Sequence, residues 1–403
     1  MGKALEGIRV IDFSWVLAGP TLTRCLGDFG AEVIRIESST HPDVIRTSPP
    51  YKGGKQTINN SGYWATYNCN KYSVNINLNH PKGSELAKRL VAKSDVIVEN
   101  FIPGTMDKWG LGYEELAKVK PDIIMVSVSL FGQDGPYKRR FGFGAFAEGM
   151  SGVSNLVGWP DRDPSNFQLV IGDALVPFFG VTALMAALEH RDRTGEGQCI
   201  DVNQLDVCSY LMTPLLLDYS INHRETNRCG NASPGSCPHS VYPCAGKEKW
   251  CAIAVFSDEQ WRNLCEAVGN SSLVDDPRFS TFAGRKINEQ ELDRIISAWT
   301  VQFSPGDVMH KLQEKGIPAG AVLSGSAITD DPQLQHREAV WYMDHSEIGK
   351  FGYYTMPFKL SATPAEPHLS PPCMGEHTEW VCTNILKMPI EEFIALLNEE
   401  VFV

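Results

Sequence analysis

The residue of this chain best suited to covalent chemistry is an aspartate set in its most apolar stretch. From Val170 to Leu188 the sequence reads VIGDALVPFFGVTALMAAL, nineteen residues carrying one charge, Asp173. A carboxylate that follows a glycine at the start of an apolar helix has two readings. As an N-cap, its oxygen would accept hydrogen bonds from orphan backbone N–H groups. As a nucleophile, a poorly solvated carboxylate held there would attack an activated acyl group. The readings are compatible, because the same amides and the helix dipole keep the group ionised. Other chemistries lack their parts. No GxGxxG follows the first strand-like run and no Walker A sequence occurs, so the usual nucleotide cradles are missing. Phe141-Gly142-Phe143-Gly144 reads as a tight loop that a ligand can approach. There is no GxSxG elbow, and the ten histidines form no HExxH pair. Cys229, Cys237, His239, Cys244 and Cys251 form one dense cluster, but gaps of six to seven residues do not match the tight ligand pairs of zinc sites. Buried or loop thiols, and no metal, are expected there.

The stretch around Asp173 is long enough to cross a bilayer. However, Gly172, Asp173 and Pro177 crowd its front and no excess of Lys or Arg orients it, so a buried core helix starting near Asp173 is expected. The elements that must position it alternate. Strand-like runs occur at Gly7–Phe13, Ala31–Glu37, Ser73–Leu78, Asp95–Glu99, Asp122–Val128 and Cys199–Val202. Helical stretches begin at Ala18 and Pro81, and the apolar helix precedes the last of these strands. Strand, helix, strand in repetition predicts βαβ units and a mostly parallel, doubly wound α/β sheet. From about His223 to His239 the chain is rich in Asn, Gly, Ser and Pro, which marks a linker. Beyond it Trp250–Val255 reads as a strand, Ser257–Val268 as an amphipathic helix, and Asp275–Phe279 as the opening of another helical region. A terminal helix is expected at Ile390–Asn398.

A length of 403 residues suits two to three domain equivalents. The 43% hydrophobic and 21% charged composition describes a globular chain with a large core. The net charge of -12 argues against a nucleic-acid partner, which needs a basic face. An odd count of 11 cysteines without a CxxC pair, and no visible signal peptide, points to a reduced, cytoplasmic setting and no membrane partner.

Taken in order, LEGIRVIDFSWVLAGP, GAEVIRIE, NCNKYSVNINL, VENFIPG and TGEGQCIDV resemble the class III coenzyme A transferases, the relatives of formyl-CoA transferase and carnitine CoA-transferase. GIPAGAV, DDPQLQ and GEHT extend the resemblance over nearly the full length. It implies a CoA transferase in which Asp173 attacks a donor acyl-CoA to give an acyl-aspartyl anhydride. The released thiolate would then form an aspartyl-CoA thioester that the acceptor carboxylate attacks. It also implies where CoA lies. Val16, Leu17 and Ala18 match the loop that lines the nucleotide, and Ile76 matches an apolar contact to the adenine region. Asn100 and Phe101 match residues beside the pantetheine or adenosine, while Lys108 and Arg140 match basic groups for the phosphates. Lys71 falls near the site by motif, as a support for the loop. CoA thioesters are then substrates, with no permanently bound cofactor.

The resemblance further implies a discontinuous Rossmann-like large domain, residues 1–222 with 330–403, and a smaller α+β domain over 223–329. Two such chains would interlock as a homodimer. Three departures bear on function. Ser38 stands where formyl-CoA transferase has a basic residue. Only Gly230 and Gly235 stand where formyl-CoA transferase has a run of glycines, which argues against formyl or oxalate specificity. Phe143 stands where the related α-methylacyl-CoA racemases need a histidine, which disfavours the alternative of a CoA-ester racemase or isomerase. A second alternative, a CoA-binding subunit of a hetero-oligomeric transferase, is opposed by the intact Gly172-Asp173. The acceptor is expected to be a carnitine-like acid, a hydroxy acid, or an aromatic or branched dicarboxylate. Phe141 to Phe146, Trp159 and Phe178-Phe179 hint at an apolar acyl group.

Overall fold

The short apolar runs of the first half are strands of one sheet, packed between layers of helices, in a computed structural model that describes residues 2–167 and 169–403. In chain order the elements are β1 (Arg9–Asp12), α1 (Ala18–Asp28), β2 (Glu32–Glu37), α2 (Gly62–Tyr67), β3 (Lys71–Asn75), α3 (Pro81–Val91), β4 (Val96–Glu99), α4 (Thr105–Lys108), α5 (Tyr113–Val119), β5 (Ile124–Ser129), α6 (Gly144–Ser151), α7 (Val153–Leu156), α8 (Ile171–Thr194) and β6 (Cys199–Asn203), followed by α9 (Gln204–Leu211) and α10 (Thr213–Asn222). The sheet order is β3-β2-β1-β4-β5-β6, and every pairing in it is parallel. The alternation of side chains along each strand feeds two cores. Ile11, Ile34, Val74 and Ile97 pack on one face with Leu86 and Leu90 of α3 and with Phe393 and Leu396 of the C-terminal helix Ile390–Asn398. Val10, Val33, Val96 and Val126 pack on the other with Leu22 of α1 and Val176 and Leu184 of α8. Strands buried on both faces explain why the runs read as continuously apolar.

The chain divides into two compact units: Met1–Ser154, Asn166–Glu225 and Gln335–Val403 form one, and Asn155–Ser165 with Thr226–Leu334 the other. In the second unit β7 (His239–Pro243), β8 (Trp250–Ala254) and β9 (Ala319–Val322) make an antiparallel sheet. It is covered by α11 (Asp258–Ala267), α13 (Glu289–Thr300) and α14 (Pro305–Gln313), with α12 (Phe282–Ile287) between them. Cys237, Cys244, Cys251 and Cys265 are buried apolar fillers of this core, while Cys229 is exposed. Among the described residues, no group of three or more His, Cys, Asp and Glu side chains is disposed to hold a metal ion.

Two local expectations are corrected. Asp275–Phe279 is a turn, because Asp276 bonds the backbone N–H and the guanidinium of Arg278 and competes with a helix; the helix α12 begins at Phe282. Helix α8 is only half buried: Gly172, Val176, Pro177, Gly180, Leu184, Ala187 and Leu188 face inward, whereas Phe179 is exposed. Its crossing with α1 depends on Gly180, where a Cβ would lie 2.5 Å from Leu22 Cδ1. Gly180→Val is therefore expected to destabilise the protein by about 1–3 kcal/mol through overpacking, read as a lower denaturant midpoint. An unchanged midpoint would show that α1 yields freely there.

Candidate active site

In a doubly wound sheet, ligands bind beyond the carboxyl ends of the strands where the strand order reverses. Here the reversal falls between β1 and β4. The segments that leave those strands, Trp15–Ala18 and Asn100–Pro103, line a cavity of about 230 Å³, together with Ser129–Phe131 after β5, Lys138, Arg140–Gly144, Asp173 and Gln204. A second, apolar cavity of about 300 Å³ adjoins it and is lined by Phe13, Ile36, Ser38, His41, Ile76 and Trp109 among others. Trp15 and Phe101 belong to both walls and stand edge to face, ring centres 5.8 Å apart.

The loop after β1 is held from two sides. Asn100 Oδ1 accepts from Trp15 N at 2.7 Å and its Nδ2 donates to Trp15 O at 2.7 Å. The Asp43 carboxylate accepts from Val16 N at 3.0 and 3.2 Å. Val16 needs this clamp, since a β-branched residue at φ 64° is strained. Asp43 is fixed in turn by Arg35, whose Nη2 donates at 2.7 Å, and by Ile45 N at 3.1 Å. Behind it runs a buried charge network in which Lys71 Nζ meets Asp12 at 3.0 Å and Arg46 forks onto Glu37. Burial pushes Lys71 down to about 8 against the pull of Asp12. Burial also acts to raise Asp12, but Lys71 and Arg35 hold it below the usual carboxylate range. Lys71 is buried against the end of β1 and the start of α1, bonded to Asp12 and Pro20 O, and does not line the cavity.

Asp173 sits in the first turn of α8, but it is not the N-cap. Val170 occupies that position in an extended conformation without a side-chain cap. The first helical amide, Ile171 N, is instead taken by Glu148 Oε1 of α6, which frees the Asp173 carboxylate for other use. Gln204 Nε2, at the start of α9, donates to Asp173 Oδ1 at 2.7 Å. Burial first, and then the Glu148 charge, push Asp173 up to about 6, opposed by the Gln204 hydrogen bond. Asp173 in turn bears on two tyrosines of α2. Burial, with a contribution from Tyr67 and Asp173, pushes Tyr63 up to about 12, and Tyr67 is also raised, first by burial.

Of the residues singled out in the sequence, Val16, Leu17, Ala18, Asn100, Phe101, Arg140 and Asp173 meet in the first cavity. Ile76 lines the second, almost wholly buried. Lys108 ends α4 exposed and lines neither cavity. Phe141 and Phe143 line the first cavity and are largely exposed. Trp159 belongs to the other compact unit, and Phe178 packs with Cys25, Phe29 and Met356. Sequence reasoning missed Asp43, Lys138, Glu148 and Gln204. Only Lys138 carried a local signal, as part of the basic run Lys138-Arg139-Arg140. Arg140 stacks on Tyr137 with its guanidinium carbon 4.2 Å from the ring centre, and its N–H fork has no carboxylate partner among the described residues.

Residues 5–378 match the model of CoA-transferase family III. The chain is a family III CoA-transferase. The transferase is 34% identical to succinyl-CoA–D-citramalate CoA-transferase of Chloroflexus aurantiacus, over 98% of this chain and 97% of that one. It is 33% identical to succinyl-CoA:glutarate CoA-transferase of Mus musculus, over 96% and 87%. The crystal structure of a CaiB/BaiF family protein from Brucella suis superposes with a TM-score of 0.87 at 30% identity, covering 96% of this chain and 100% of that one. A transferase of this family handles an acyl-CoA and a free acid, and the cavity offers both kinds of surface. It combines an apolar wall, the cations Lys138 and Arg140, and the Asp173 carboxylate at the start of a helix.

Proposed function

We propose that this transferase moves CoA from succinyl-CoA to a second dicarboxylic acid, with Asp173 as the covalent nucleophile. The observation that carries the reading is the meeting of Asp173, the loops leaving β1 and β4, and the cations Lys138 and Arg140, unpaired with any carboxylate among the described residues, in a single cavity. An Asp173 oxygen attacks the thioester carbonyl carbon, the C–S bond breaks, and CoA leaves as thiolate. The thiolate attacks the Asp173 carbonyl of the anhydride and expels the donor as carboxylate, leaving an aspartyl-CoA thioester. The acceptor carboxylate attacks that thioester and releases the thiolate again. The thiolate finally takes the acceptor acyl group and restores Asp173. The covalent intermediates split one exchange of CoA between two carboxylates into several easier steps, the usual gain from covalent catalysis.

CoA lies along Val16–Ala18 and Asn100–Phe101, with its adenine end toward the apolar cavity that Ile76 lines. Arg140 and Lys138 supply the anion-binding groups for a phosphate and a distal carboxylate. The named relatives act on succinyl-CoA with citramalate or glutarate, which supports a short dicarboxylate as acceptor. Eleven free thiols, most of them buried, suit a cytoplasmic enzyme. The chain works as a homodimer on this reading. Helices α9 and α10 expose Tyr210, Leu216, Leu217 and Ile221, an apolar face of the kind that marks an interface.

The test is to incubate the protein with succinyl-CoA and a panel of citramalate, malate, glutarate and monocarboxylic acids. Product esters are followed by mass spectrometry, and the enzyme thioester is trapped with hydroxylamine or borohydride. New CoA esters of the dicarboxylates and a trapped adduct on Asp173 are expected. Transfer only to monocarboxylic acids would overturn the acceptor class, and an adduct elsewhere would overturn the nucleophile.

A further inference from the structure

We infer that Gln204 and Glu148 are positioning residues for Asp173: Gln204 occupies Oδ1, so that Oδ2 is the oxygen that attacks, and Glu148 anchors the helix start that carries it. This rests on Asp173 being the nucleophile. In the step concerned, Oδ2 bonds to the thioester carbon, the C–S bond breaks and the sulfur leaves as thiolate.

The three side chains come from three elements. Gln204 opens α9 directly after β6, is 8% exposed, and donates through Nε2 to Asp173 Oδ1 at 2.7 Å. A carboxylate oxygen that already accepts a charge-assisted hydrogen bond has one lone pair committed and its charge partly neutralised, which makes it the poorer nucleophile. The other oxygen is kept clear by Gly144. A Cβ there would lie 2.8 Å from Asp173 Oδ2 and 2.7 Å from Gln204 Oε1, so any larger residue would crowd the attacking atom. Four residues further along α6, Glu148 is fully buried. Its Oε1 accepts from Ile171 N at the first turn of α8, and its Oε2 is buried without a hydrogen-bond partner among the described residues. Glu148 therefore does for α8 what an N-cap side chain would do, from a neighbouring helix. It also holds a second carboxylate close to Asp173 in a poorly solvated wall.

The titratable and charged groups that bear on Asp173 come from every side. Glu148 lies on α6, Cys208 on α9, Tyr63 and Tyr67 on α2, and Lys138 and Arg140 in the segment before α6. Of these, Glu148 is the nearby charge that opposes ionisation of Asp173, whereas Gln204 favours it. The two substitutions must then move the acid limb of activity in opposite directions, which a purely structural role would not do.

The experiment measures kcat/KM against pH and the rapid-quench rate of the trapped Asp173 adduct from succinyl-CoA. The variants are Gln204→Leu, Gln204→Glu and Glu148→Gln, each checked for folding by thermal unfolding. Glu148→Gln retains an oxygen for Ile171 N–H but removes the charge, so the acid limb is expected to fall by about 0.5–1 pH unit. Gln204→Leu is expected to slow adduct formation about 10- to 100-fold and to raise the limb, with KM for the thioester within about twofold. Gln204→Glu sets a carboxylate against Oδ1 and should raise the limb by more than about one unit, which decides the matter even if Glu148→Gln does not fold. Unshifted limbs with adduct rates near wild type would overturn the positioning role. If Asp173→Ala still forms adduct or transfers CoA, the nucleophile reading fails instead.

Discussion

Asp173→Ala is expected to abolish both CoA transfer and the trapped enzyme adduct, a loss of at least about 10³-fold, because in the proposed mechanism Asp173 carries the covalent intermediate. The companion Asp173→Asn should be equally inactive but more stable than wild type at neutral pH. Burial raises the folded carboxyl from 3.8 to about 6. The unfolded chain ionises first as pH rises, so ionisation above about pH 4 weakens the fold until the folded group also titrates near 6. The full difference corresponds to roughly 3 kcal/mol, and partial solvent access reduces it to about 1–2 kcal/mol. Asparagine never incurs this cost. Its denaturant midpoint should exceed that of wild type at pH 8 and approach it at pH 4. A stabilisation of equal size at both values would show that the strain at this site is steric rather than electrostatic. Stability sacrificed at one ionised group is common where a site is built to react.

The second large effect is expected at Asp43. Asp43→Ala removes the partner that Arg35 holds at 2.7 Å and leaves a wholly buried guanidinium with longer contacts to Asp12 and Glu37. Breaking one side of a buried pair costs about 3–5 kcal/mol, and the variant should show a correspondingly lower unfolding midpoint. The same carboxylate keeps Val16 at φ 64°, so its loss also releases the loop that lines the cavity. Asp43→Asn separates the two roles. An amide oxygen still accepts from Val16 N but carries no charge toward Arg35. This variant is expected to lose stability while the KM for the thioester rises only a few-fold and kcat holds. If Asp43→Ala keeps wild-type stability and KM, the network neither supports the fold nor holds the loop.

Much of the large unit was legible in the sequence. Short apolar runs bounded by turn residues mark strands that are buried on both faces, and the runs ending at Asp12, Glu37 and Glu99 were placed to within a few residues. The strand preceding Asn77 begins earlier than its pattern suggested, at Lys71, because that lysine is buried among Asp12, Asn68 and Pro20 carbonyl oxygens rather than solvated. Asp173 stood out because a lone charge in an apolar helix needs a reason. It is not the N-cap because the helix starts two residues earlier, with Val170 at the cap position and Glu148 of α6 holding Ile171 N. Lys108 shows the converse, since spacing places a residue along the chain but not the direction its side chain takes.

By itself, the sequence determined the alternation of elements, the parallel class of the large sheet, the family, and the one carboxylate worth singling out, because periodicity and local composition act over a few residues. Only the tertiary structure decided the order β3-β2-β1-β4-β5-β6, and with it which two loops meet. It alone revealed Gln204 on Asp173, Glu148 at the start of α8, and Asp43 beneath Val16. These pairings join residues 31, 23 and 27 positions apart. Their energy comes from excluding water around opposed polar groups, a condition that exists only once the layers have packed.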